Sequence, residues 1–314
     1  MLRCYCAEGG ELSEHGASKL KDALWIDASA PTPEEVEMLQ TMFGIQLQDL
    51  ADCLDPNERS RVEIDEDYDL LVLRSLLSNT GNGASVQTMP VGIFLVRGKI
   101  LTVRIAPTFT AQDLISDFKR KPKLGTREDL FLALIRKINR DMDRKVRPME
   151  GQISMIQKSI LSEVKAATTH RAYALSSDLI LLNTSLLSNY NAISMLPRAR
   201  HLELNEDQSD ILEDLENDVA QLYDMTTLYR EIMSNVLRAH ESVISNNLST
   251  VMKILTTISL ALMLPTLIAS LYGMNIGLEG LPFWEQQYQF WIIIAITGVA
   301  VAVLWFVFRW KKVL

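Results

Sequence analysis

Two stretches near the C-terminal end of the chain contain no charged residue: Ile254–Leu271 and Phe290–Phe308. Charged residues make up 22% of the whole sequence, so such gaps need an explanation. They run roughly 18 and 19 residues, close to the ~20 that an α-helix needs to cross the hydrocarbon core of a bilayer. Basic residues are outnumbered too. Lys and Arg number 31 against 39 Asp and Glu, a formal net charge of -8. That acidic balance makes a poor nucleic-acid binder, because counterion release needs an excess of cations at the surface. Cysteine is scarce. Cys4, Cys6 and Cys53 are an odd set, expected as free thiols in a reducing compartment. Cys4 and Cys6 could hold a soft metal, but no second ligand pair follows, so unliganded thiols are expected. His15, His170, His201 and His240 are scattered, without a paired metal-ligand spacing. No phosphate loop and no nucleophile–base–acid pattern appears, which argues against an enzyme. Met1–Gly10 lacks the sustained apolar region of a signal peptide.

What is present fits a membrane hairpin attached to an acidic body. Hydrophobic residues reach 48%, ample for a core, so disorder is excluded. Tyr272, Trp284, Tyr288, Trp291, Trp305 and Trp310 lie where an interfacial aromatic belt would place them. Two apolar runs so close together, with aromatics at their edges, are read as spans rather than as core helices of a soluble protein. The tail carries Arg309, Lys311 and Lys312, while the loop between the runs carries Glu279 and Glu285 and no cation. Taking that +3 and -2 off the total of -8 leaves about -9 on residues 1–253. By the positive-inside rule both termini are expected in the cytoplasm, placing the protein in the cell (inner) membrane.

The soluble part divides by pattern. Residues 1–125 read as a mixed α/β domain. Leu24–Asp27 is strand-like, Pro31–Phe43 opens a helix with Pro and Glu in its first turn, and Asp49–Leu54 is a further short helix. Strands Tyr68–Leu77 and Val91–Ile105 follow, separated by the Gly81-Asn82-Gly83 turn signal, whose spacing matches neither the Walker nor the dinucleotide pattern. Residues 126–250 read as a helical stalk. Thr126 and Asp129 form a capping-box pair ahead of Leu130, Leu134, Ile138 and Met142, and Pro148 should interrupt that helix. A second helix covers about Arg171–Leu196. A third starts near Asp207, with Leu212, Leu215, Leu222, Tyr229, Ile232, Val236 and Val243 close to heptad spacing and no breaker before Pro265. As one helix, Asp207–Leu271 would extend about 95 Å, joining the stalk to the first span. Such a join is either a mechanical coupling or a passive coiled-coil anchor. Residues 251–314 form the transmembrane hairpin, with spans of about 251–271 and 290–308 and a short basic tail.

Two spans cannot enclose a pore, so any ion pathway needs several copies around an axis. In the first span Met252, Leu255, Ser259, Met263, Thr266 and Ser270 recur at steps of three and four and share one face. It is either a pore lining or a helix-packing surface, since small and hydroxyl residues serve both. The second span, richer in Ile, Val and Trp, suits a lipid-facing outer helix. With no carboxylate in either span, a proton relay has little support.

At the outer end of the first span stands Tyr272-Gly273-Met274-Asn275, after Leu264-Pro265-Thr266-Leu267. Together with the Arg309-Trp310-Lys311-Lys312 ending and the long stalk, it resembles the CorA family of magnesium channels. The likeness extends through Trp25-Ile26-Asp27, Phe43-Gly44-Ile45, Asp49–Leu54 and Arg59-Ser60-Arg61-Val62-Glu63 followed by Asp67-Tyr68, nearly the whole chain. It implies a funnel-shaped homopentamer in the bilayer, with the first span lining the pore. Asn275, beside Gly273 and Met274, would hold the ion through its hydration shell at the mouth. Thr266 would add a hydroxyl ring, and Met263, Leu255 and Met252 apolar constrictions that gate by dewetting. The resemblance also implies closure by cytoplasmic Mg²⁺ between subunits. Its best-matched acids fall on Asp52 and Asp214, hard oxygen ligands of the kind Mg²⁺ prefers. There are departures. Leu281-Pro282-Phe283-Trp284 stands where the family has Met-Pro-Glu-Leu, and Ile276-Gly277 is similar to the zinc-transporting branch. The expectation is a Mg²⁺ channel, with Co²⁺ and Ni²⁺ as possible further substrates. A Zn²⁺ transporter of the same family and a non-conducting membrane-anchored sensor or scaffold are the alternatives.

Overall fold

A computed structural model describes residues 2–8, 11–15, 20, 22–77, 85–109, 114, 126–162, 166–273 and 288–310. The chain divides into two units, Met1–Leu237 and Arg238–Leu314.

The first unit is built on a seven-stranded sheet: β1 (Leu2–Glu8), β2 (Glu11–His15), β3 (Trp25–Ser29), β4 (Arg61–Ile64), β5 (Tyr68–Leu76), β6 (Thr88–Val96) and β7 (Lys99–Arg104). The spatial order is β2-β1-β3-β7-β6-β5-β4; β3 and β7 are parallel and every other pair is antiparallel. Leu70-Leu71-Val72-Leu73 reads as one apolar run because both faces of the sheet are covered. Side chains alternate between them. Leu71, Leu73, Val91, Ile93 and Trp25 point into the core shared with the long helices. Leu70, Val72, Phe94, Val96 and Ile26 point into a second core, closed by α1 (Pro33–Phe43) and α2 (Leu47–Asp52).

Local sequence sets the ends of these elements. Thr32 and Glu35 form a capping box at the start of α1, and Gly44, at φ 74°, closes its C-terminus. The segment read as a single strand, Val91–Ile105, is instead a hairpin. Arg97 (φ 48°) and Gly98 (φ 73°) form a two-residue connection between β6 and β7, with Val96 opposite Lys99. Arg is an unusual occupant of a left-handed position, and Arg97 is held there as its Nη1 donates to the Met42 carbonyl at 2.6 Å. β1, β2 and β4 also went beyond the strands expected.

On the other face lie α3 (Arg127–Val146), α4 (Met149–Ser162), α5 (Ala166–Ile193) and the start of α6 (Glu206–Tyr272). The Thr126/Asp129 capping box is present, and α3 stops two residues before Pro148. β5 outruns β4 here, and a side chain completes the ladder. Asn189 of α5 accepts from the Arg74 backbone N–H at 2.8 Å and donates to its carbonyl at 2.9 Å. Asn189 also accepts from the Ser60 hydroxyl at 2.6 Å.

The second unit holds the later part of α6 and α7 (Gln289–Trp310). α6 continues through Pro265, which a membrane helix tolerates where neighbouring groups satisfy the freed carbonyl. By length and composition both helices can cross a membrane.

Candidate functional site

The acidic positions of the first unit are positioned by α2 and β4. Asp52 ends α2 and is partly exposed, while Asp49, one turn earlier, is buried. Gly92 of β6 lets α2 settle this closely onto the sheet. A Cβ at Gly92 would lie 2.2 Å from the Cys53 sulfur, so any other residue there forces the Cys53 side chain or the helix end to move. Burial pushes the Cys53 thiol up to about 12, so it stays protonated and unreactive.

Around Asp52 the structure gathers more charge than the sequence reading foresaw. On β4, Arg61 and Glu63 are two residues apart and project from the same face. Arg61 Nη2 donates to Asp52 Oδ2 at 3.0 Å and lies 3.2 Å from Glu63 Oε2 and 3.7 Å from Asp49 Oδ1, while Nη1 meets Glu58. One guanidinium thus faces four carboxylates. Burial draws the Arg61 pKa down, but its hydrogen bonds to Glu63 and Asp52 outweigh this and raise it above the ordinary guanidinium range. The second Asp52 oxygen accepts from Gln48 Nε2 at 2.7 Å. Behind them the Tyr68 hydroxyl donates to Asp49, and burial followed by that hydrogen bond pushes its pKa up. The strand alternation of Arg61 and Glu63 was the signal available in the sequence; the return of β4 onto α2 was not.

Asp214 lies exposed on α6, beside exposed Glu213 and Asp218. No group of three or more His, Cys, Asp or Glu able to hold a metal occurs among the described residues. Asp52 and Asp214 sit on different elements, α2 and α6. Their chemistry does fit Mg²⁺, which keeps several waters and needs only one or two carboxylates.

In the second unit most of the first span is exposed, the predicted face included. Met252, Leu255, Ser259, Met263, Thr266 and Ser270 are all exposed. The less exposed residues of this stretch are Thr257, Ala261, Leu264, Pro265 and Ile268. At about 100° per residue the two sets centre on opposite sides of the helix. A cleft lined by Ser249, Met252, Lys253, Thr256, Thr257 and Phe308 puts the start of the first span beside the end of the second. Charge is absent from the exposed face, and its hydroxyls are oriented. Ser259 Oγ donates to the Leu255 carbonyl at 2.9 Å and Thr266 Oγ1 to the Leu262 carbonyl at 2.8 Å. With their protons used inside the helix, both oxygens present acceptor lone pairs outward. The Gly273 amide closes the last helical hydrogen bond, to the Ala269 carbonyl at 2.9 Å. Met274, Asn275, Glu279, Glu285, Leu281–Trp284, Lys311 and Lys312 lie outside the described residues, as does the Gly81-Asn82-Gly83 turn.

The family model described as "CorA-like Mg2+ transporter protein" matches residues 21–312. The chain is 26% identical over 292 residues to the cobalt/magnesium transport protein CorA of Methanocaldococcus jannaschii, covering 91% of this chain and 90% of that one. It is 25% identical over 298 residues to the protein of the same name from Thermotoga maritima, covering 91% and 84%. The complete structure of the CorA magnesium transporter from M. jannaschii superposes with a TM-score of 0.82 at 24% identity, covering 98% of this chain and 97% of that one. At that identity the superposition establishes the fold: an α/β body, a long helix and two C-terminal apolar helices.

Proposed function

The chain belongs to the CorA family of divalent-cation transporters, membrane proteins rather than enzymes, and on that premise we propose that it is a homopentameric Mg²⁺ channel. The observation that carries this reading is the uncharged face of the first span, exposed along its length and lined with hydroxyl oxygens whose protons point back into the helix. Mg²⁺ sheds water reluctantly, so a hydrated ion offers hydrogens outward and is met best by neutral acceptors. A ring of carboxylates would hold a dication more firmly and slow its release. Five copies of this face around an axis give rings at Ser259 and Thr266, with Asn275 at the outer mouth and Met263, Leu255 and Met252 as apolar constrictions between and below them. Entry needs no fuel beyond the membrane potential, worth ~4.6 kcal/mol per dication per 100 mV.

Both termini are cytoplasmic in this scheme. Closure follows when cytoplasmic Mg²⁺ binds between neighbouring subunits at Asp52 and Asp214, offsetting repulsion between acidic surfaces. α6, which runs from the cytoplasmic body into the first span without an intervening loop, carries the change to the pore.

Flux into proteoliposomes under an imposed inside-negative potential tests the reading. Mg²⁺ uptake is expected, with Co²⁺ and Ni²⁺ as further substrates, and Asn275→Ala should abolish most of it. Zn²⁺ uptake without Mg²⁺ uptake would identify a zinc transporter instead. No flux of any divalent cation, from wild type and variant alike, would leave a scaffold or sensor.

A further inference from the structure

Asp52 is not a bare carboxylate waiting for metal. Both of its oxygens are engaged, one by Gln48 at 2.7 Å and the other by Arg61 at 3.0 Å. A cation that takes Asp52 as a ligand must first displace the guanidinium or share the oxygen with it. We propose that Arg61 is a tethered competitor for the divalent cation, and that its grip on Asp52 sets the Mg²⁺ concentration at which the protein closes. The inference rests on reading Asp52 as a regulatory ligand.

Three features suit Arg61 to that role. It belongs to the chain, so its effective concentration at Asp52 is fixed and independent of salt composition. It is outnumbered: Asp49, Asp52, Glu58 and Glu63 together carry four formal negative charges against its one. The cluster therefore keeps an attraction for a further cation even while Arg61 is in place. Finally, Arg61 has somewhere to go. Glu58 and Glu63 both contact it, so the guanidinium can release Asp52 and stay paired. Its side chain is 30% exposed, which leaves room for that movement. Asp49 is fixed by contrast, buried and held by the Tyr68 hydroxyl, so the exchange is confined to the exposed side of the cluster.

The test uses full-length protein and MgCl₂ at constant ionic strength, and reads protection from limited proteolysis and the thermal midpoint in detergent. Half-inhibition of flux by Mg²⁺ on the cytoplasmic face of proteoliposomes is read in parallel. Removing a competing charge about 3 Å from the ligand should lower the half-effective Mg²⁺ concentration on the order of tenfold in Arg61→Gln. Arg61→Lys keeps the charge but loses the planar fork, and should fall between wild type and Arg61→Gln. It also serves if Arg61→Gln is too unstable to purify. Asp52→Asn is the reference. If Asp52→Asn raises the half-effective concentration while both Arg61 variants match wild type, the competitor role is wrong and the regulatory site stands. If Asp52→Asn also matches wild type, the regulatory reading of Asp52 fails first. A higher half-effective concentration in Arg61→Gln would mean that Arg61 supports the cation site, the opposite of the proposal.

Discussion

Asp27 and Arg104 form a buried ion pair in which neither partner can be lost alone without a large cost. They lie on the parallel neighbours β3 and β7, 2% and 4% exposed. Arg104 donates to both Asp27 oxygens, at 3.1 and 2.6 Å, and Thr102 donates to one of them at 2.8 Å. Trp25 Nε1 donates to Thr102 in turn, so the network reaches the stacked Tyr5–Trp25 pair. Asp27→Ala would strand a buried guanidinium and should cost about 3–5 kcal/mol in chemical denaturation. Replacing Asp27 and Arg104 together by apolar residues of similar volume should cost much less; a loss equal to the sum of the two single replacements would show that the charges act independently. Gly92 makes a second case. Gly92→Ala forces a carbon against the Cys53 sulfur, with an expected cost of about 1–3 kcal/mol or more and a displaced α2. In the folded wild type, burial should keep Cys53 unlabelled by a thiol reagent at pH 8; in Gly92→Ala it should become reactive. Neither constraint was visible in the sequence, because Asp27 and Arg104 are 77 residues apart and Gly92 and Cys53 are joined only by the return of the sheet.

At the scale of elements, more was legible. Capping at Thr126 and the interruption at Pro148 follow from local chemistry, and the long helix joining stalk to first span was expected from its spacing, although Pro265 inside it had no local signal of being tolerated. The β6–β7 turn was missed because Arg97-Gly98 lacks the Asn-Gly or Asp-Gly signature, and a hydrogen bond from Arg97 to a distant carbonyl replaces it. β4 was missed because it is four residues long and lies at the sheet edge. The two faces of the first span were half legible. Spacing grouped Met252 through Ser270, but only the structure shows that the opposite side, at Thr257, Ala261 and Ile268, is the less exposed one. That opposition yields a paired prediction. Thr266→Val and Ser259→Ala remove oxygen acceptors from the proposed pore face and should reduce Mg²⁺ flux several-fold. Thr257→Val, the same chemistry on the other side, should leave flux near wild type. Equal effects at Thr266 and Thr257 would remove the argument for an axis on the Ser259 side.

For the whole molecule, no group of three or more His, Cys, Asp or Glu able to hold a metal occurs among the described residues, and the site proposed at Asp52 and Asp214 is one completed by a neighbouring copy. The charge partition read from the sequence, about -9 on residues 1–253, supplies the repulsion that a cation between subunits would relieve. A regulatory site shared by two subunits has a consequence that a site within one chain lacks. In an assembly made only of Asp52→Ala chains, every interface lacks one ligand, and the same holds for Asp214→Ala. Both should need more cytoplasmic Mg²⁺ for closure than wild type. In the proposed pentamer, formed from equal amounts of the two variants, an interface is complete when a chain retaining Asp52 meets a neighbour retaining Asp214. Random mixing makes about one interface in four complete in a ring. Magnesium inhibition should therefore return in part, and the thermal midpoint should again rise with MgCl₂. If both ligands came from the same chain, no mixture could restore them, since every chain lacks one. Co-expressed variants carrying different affinity tags, purified over both, and assayed for flux and melting across a MgCl₂ series would decide between the two arrangements. Mixed pentamers as insensitive to Mg²⁺ as either parent would rule out the shared site.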